Sequence, residues 1–158
     1  MDHGWMSERG EWARPLETGF EQVYVENDWY DGPRSGLASI GGLPHYFESV
    51  DGYANPELDT EEFLVWPAGR LTLDMEREQW SIFCSWNTRY QAGAVAVDTH
   101  PDGRGVDARY DELQKLLAPR RSAPSDARRL VPEWRTYERP GGRYLPEGPD
   151  YQARWRPA

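Results

Sequence analysis

From Phe20 to Pro67 the chain alternates apolar and polar residues in short runs separated by glycine and proline. "FEQVYVE", residues 20–26, is rich in strand formers and predicts a strand. Leu37, Ala38 and Ile40 lead into Gly41-Gly42, a dipeptide able to take the positive φ values of a tight hairpin turn. His45 to Val50 then form the returning strand, with Pro44 at its start, where a missing N–H is tolerated. "EEFLVWP" is a fourth strand, stopped by Pro67.

The period changes after Leu71. In "LTLDMEREQWSIFCSWNTRYQAG" the residues Met75, Gln79, Ile82, Phe83, Trp86 and Tyr90 recur at spacings of three and four, which predicts a helix. Trp80 and Cys84 flank that face. Thr72 or Asp74 would cap its start and Gly93 would end it. On this pattern Phe83 and Trp86 meet the sheet. Val106, Tyr110, Leu113 and Leu117 predict a second helix, which Pro119 prevents from continuing.

Residues 118–158 carry seven prolines in 41 positions and little periodicity, so composition marks them as a linker or tail. Trp134, Tyr137, Tyr144, Tyr151 and Trp155 recur through them and read as docking anchors. Residues 1–19 read as an irregular arm, with Trp5 and Trp12 to pin it. The expected fold is therefore α+β: a small antiparallel sheet of three or four strands packed against two helices. Its core domain is 20–117, with irregular arms at both ends. That boundary predicts that the core folds without the tail.

Composition adds a setting. Of 18 basic residues, only Lys115 is a lysine, and with the abundant Ala, Gly and Pro this suggests a GC-rich bacterial or phage genome. No signal peptide or membrane span is read in the sequence, so the expected location is the cytoplasm. Charge is divided. Residues 1–70 carry 14 acids and 4 bases, and residues 119–158 carry 5 acids and 9 bases. The basic tail is expected to dock on an acidic surface, its own or a partner's. The net charge of −9 disfavours nonspecific binding to nucleic acid.

The chemically densest stretch is "NDWYDGPRSG", residues 27–36. One reading is a stiff turn: Gly32 takes positive φ, Pro33 fixes the next residue, and Arg34 pairs with Asp28 or Asp31. The other is a recognition loop, because exposed Trp29, Tyr30 and Arg34 are residue types that dominate interface hot spots. The two are compatible. This stretch, continuing as "SGLASIGGLPHYFES", resembles a family of small uncharacterised bacterial proteins with a YDGPRSG-type motif. The resemblance covers residues 23–117 and implies a bacterial setting and a compact domain, with no activity attached.

His45 is the one candidate general base, with Asp31 and Asp28 as prospective orienting carboxylates. On a strand it faces away from Glu48, and a structural histidine is the simpler reading. Cys84 reads as a buried thiol. Neither the acidic run "NPELDTEEF" nor the scattered histidines have metal-ligand spacing, and no cofactor is expected. Abundant Trp, Tyr and Arg without a catalytic constellation point to a non-enzymatic interaction protein. Its candidate binding residues are Trp29, Tyr30, Asp31, Arg34, His45, Trp134 and Trp155, and its expected partner is a protein. The alternatives are a small enzyme with a polar site around Asp31, Arg34 and His45, or an acidic nucleic-acid mimic.

Overall fold

A computed structural model of the protein describes residues 19–51 and 61–158. Most of the N-terminal arm, with Trp5 and Trp12, and the centre of the acidic run lie outside the described residues. Six strands form a closed antiparallel barrel: Glu21–Trp29 (β1), Pro33–Ile40 (β2), Leu43–Ser49 (β3), Phe63–Pro67 (β4), Arg128–Thr136 (β5) and Tyr151–Pro157 (β6). Two helices, Arg70–Gln91 (α1) and Ala108–Leu117 (α2), are inserted between β4 and β5. Among the described residues no helix is long and apolar enough to cross a membrane.

The barrel overturns the expected open sheet of three or four strands. The segment expected to be an irregular C-terminal arm supplies β5 and β6. In β6, Tyr151, Ala153 and Trp155 are buried while Gln152, Arg154 and Arg156 face outward, the period-2 alternation of a half-buried strand. In β5, Leu130 and Trp134 join the same core. Pro132 lies just past Leu130, where pairing with β4 has already ended. Closure rests on two pairs, Glu21↔Ala153 and Gln22↔Gln152.

Inside the barrel sit Val23, Ala38, Ile40, Phe47, Phe63, Val65, Leu130, Tyr151, Ala153 and Trp155. The rings of Phe47, Phe63, Trp134 and Trp155 pack at centroid distances of 5.6–6.1 Å. The outer wall carries a second core, in which Val25, Leu37, Tyr46 and Trp66 meet Leu73, Trp80 and Cys84 of α1. The helix face at the sheet is thus Leu73, Trp80 and Cys84. Phe83 is half-buried against the same core, whereas Trp86, though buried, stacks on Tyr90 and tilts against His100 instead. Leu113 and Leu117 of α2 pack on Met75 of α1 in a third, smaller core.

Caps and turns follow local chemistry. Asp107 caps α2 by accepting the Tyr110 N–H at 2.8 Å. α1 starts one turn earlier than its sequence suggests, at Arg70 behind Gly69, and has no side-chain cap. Gly41 and Gly42 take φ of 63° and 85°, as the β2–β3 turn requires. The Glu21 carboxylate accepts both their N–H groups, at 3.0 and 2.9 Å, tying that turn to β1.

Gly36 is required by proximity. A Cβ there would lie 2.2 Å from the Val25 carbonyl and 2.8 Å from Phe47 Cζ, inside the barrel. Gly36→Ala is expected to cost at least about 2 kcal/mol in urea denaturation, since a strand or a buried ring must shift. An unchanged midpoint would show that β1 has slack at its bulge.

Candidate functional site

Only Tyr30, Asp31 and Gly32 connect β1 to β2, because Trp29 already pairs with Pro33. Asp31 takes φ 55° and Gly32 φ 129°, and the Tyr30 N–H donates to the Gly32 carbonyl at 3.0 Å. Arg34 grips this turn from within. Its Nε lies 3.3 Å from the Gly32 carbonyl, while its two terminal nitrogens each donate to Glu61 at 2.7 Å. Trp29 and Tyr30 remain 43% and 67% exposed on this fixed tip. The Arg143 guanidinium stacks 3.7 Å above the Trp29 ring and donates to Glu26 at 3.1 Å.

Arg143 thereby joins the tip to a cleft of about 360 Å³ between β1, α1 and the segments around α2. One wall of the cleft is a polar network. Glu76 on α1 is 1% exposed, yet both its carboxylate oxygens are engaged. Its carboxylate takes Tyr46 Oη at 2.6 Å, Arg121 Nε at 2.8 Å and Arg121 Nη2 at 2.7 Å. Arg121 also donates to Gln79 at 2.6 Å and Gln114 at 3.1 Å. Burial pulls the Arg121 guanidinium toward its neutral form, but Glu76 outweighs this and holds its pKa above the ordinary value. Burial, reinforced by Glu76, raises the Tyr46 hydroxyl far above its usual range.

Farther along the same stripe of α1 the lining turns aromatic. Trp80, Phe83 and Tyr144 pack together at 5.1–5.8 Å. His100 lies beside them, 4.3 Å from Trp86, with Nδ1 2.8 Å from Asp102 Oδ1. The same Nδ1 accepts the Asp102 backbone N–H at 3.1 Å. The described cleft wall offers it no Ser, Thr or Cys nucleophile. Cys84 is buried on the sheet-facing side of α1, with its thiol pushed up to about 12 by burial.

The candidate residues read from the sequence separate into two groups. Trp29, Tyr30 and Asp31 stand together at the exposed tip. The other four are internal. Arg34 is committed to Glu61 rather than to Asp28 or Asp31. His45 is 1% exposed, its Nδ1 2.8 Å from the Leu43 carbonyl, and burial lowers its pKa. The hairpin register sets His45 opposite Ala38 and Arg34 near Ser49, four residues away, roughly 13 Å at 3.3 Å per residue. Arg34 and His45 therefore do not share a site. Trp155 is buried in this chain's own barrel, and Trp134, partly buried, packs against the same core.

The cleft itself escapes a reading by residue type. Its signal was Glu76 and Gln79, two polar residues on the buried side of α1, followed by Arg120-Arg121 after a helix. No protein-family model, curated protein or solved structure matches the chain.

Proposed function

We propose that this is a non-enzymatic protein-interaction module of a GC-rich bacterium or its phage, of the immunity, inhibitor or accessory-subunit kind. The observation that supports it is the β1–β2 tip. Two large aromatic side chains stand exposed at a turn whose Gly32 carbonyl is held by Arg34, itself paired with Glu61, while Arg143 stacks on the Trp29 ring. Aromatic anchors carried on a fixed backbone lose less freedom on binding, so more of their contact energy appears as affinity. The residues that would serve a small enzyme around Asp31, Arg34 and His45 are instead split between the tip and the barrel interior.

The test is recovery of a partner from the source organism on immobilised protein, compared with Tyr30→Ala and Trp29→Ala. Each variant is expected to weaken retention by at least about tenfold, the loss of one interface hot spot. Tyr30 is the cleaner variant, being the more exposed, and its thermal midpoint is expected to stay within about 1 °C of the parent. Undiminished retention by both variants would reject the tip as the interface.

A further inference from the structure

The cleft between β1 and α1 has a chemistry of its own, independent of the exposed tip. The geometry points to it as a binding site for a small organic cation, an ammonium group carried on an apolar or aromatic body. Glu26 provides the charge. Its side chain is 8% exposed; Oε1 accepts Tyr151 Oη at 2.7 Å and Arg143 at 3.1 Å. Its other carboxylate oxygen, Oε2, has no hydrogen-bond partner among the described residues, and the side chain lines the cleft. Burial raises its pKa, although Tyr151 and Arg143 oppose that, so its charge is only partly compensated.

The lining also includes the half-buried rings of Phe83 and Tyr144; Arg143 already lies 5.1 Å over the Tyr144 ring, which leaves Phe83 as the ring to meet a cation and its apolar body. An anion finds no comparable welcome. Arg121 is the arginine of the cleft wall, and its Nε, Nη1 and Nη2 are all engaged by Glu76, Gln79 and Gln114. The wall holds three carboxylates, Glu26, Glu76 and Asp102; Arg121 is spent on Glu76, and Arg143 beside the cleft engages only Oε1 of Glu26. A volume of about 360 Å³ falls within the range of small-molecule sites.

The site is tested on the full chain with phenethylammonium, its neutral counterpart 2-phenylethanol and its anionic counterpart phenylacetate. Binding is followed by calorimetry and by tryptophan fluorescence, because Trp80 lines the cleft. Saturable one-to-one binding of the ammonium is expected, with a Kd below about 1 mM. The alcohol and the carboxylate are each expected to bind at least about tenfold more weakly, the contribution of a charge-assisted hydrogen bond. Glu26→Gln should remove that preference. If Glu26→Gln does not fold, Phe83→Leu decides, since losing one aromatic face should weaken the ammonium by about threefold or more. No saturable binding, a preference for phenylacetate, or unchanged ammonium affinity in a folded variant would each overturn the assignment.

Discussion

A chain ended after Leu117 is expected to lose its cooperative thermal transition entirely. The truncation removes β5 and β6, so β4 and β1 each lose a ladder partner and the barrel opens. It also strips Leu130, Trp134, Tyr151, Ala153 and Trp155 from the interior, leaving Phe47 and Phe63 without the rings they pack on. Truncating one buried Trp to Ala typically costs about 3–5 kcal/mol. Total stabilities of single domains are only about 5–15 kcal/mol. Losing five such residues and two strands exceeds that margin. Calorimetry of residues 1–117 is the check. A sharp transition would restore the domain boundary that composition suggests.

The second large effect is expected at Arg121. Arg121→Met strands the Glu76 carboxylate inside the protein with only the Tyr46 hydroxyl for company. Removing one partner of a buried ion pair costs about 3–5 kcal/mol, because the remaining charge has no water to turn to. The double variant Glu76→Leu with Arg121→Met should recover most of this loss, since an apolar pair of similar volume needs no partner. Arg109 offers the contrast. It forms short pairs with Glu78 and Glu112 on the surface, where water screens them, and its removal should barely move the urea midpoint. Similar losses for Arg121→Met and for the double variant would mean that packing, not charge, is at stake there.

Local pattern carried β1 to β4 and both helices, because each is bounded by its own turn or breaker. The Gly41-Gly42 turn and the Leu113–Leu117 stripe could be read from a few neighbouring residues. β6 was equally legible in period: Tyr151, Ala153 and Trp155 alternate with Gln152, Arg154 and Arg156. Seven prolines across the segment argued for a tail and hid that alternation, although the prolines fall at strand ends, in turns or where a ladder has stopped. Closure could not be read at all, since Glu21 meets Ala153 across most of the chain.

The site was legible in the same uneven way. Trp29, Tyr30 and Asp31 sit at the tip because the turn chemistry of "YDGP" is local. Whether Arg34 and His45 point in or out depends on strand phase and on the barrel closing over them. Charge division was informative in a different manner. Tail arginines Arg121, Arg129 and Arg143 do meet carboxylates of the preceding chain, Glu76, Glu62 and Glu26. They do so as parts of one fold rather than as a separate docking arm.

The most direct measurement is photo-crosslinking in the source organism, with a photoreactive side chain replacing Tyr30 and, as a control, Leu71, which is equally exposed on α1. The expected result is one crosslinked protein of defined mass from position 30 and none from position 71. No crosslinked protein at position 30, or the same products from both positions, would contradict an interaction module that recognises its partner through the Trp29–Tyr30 tip.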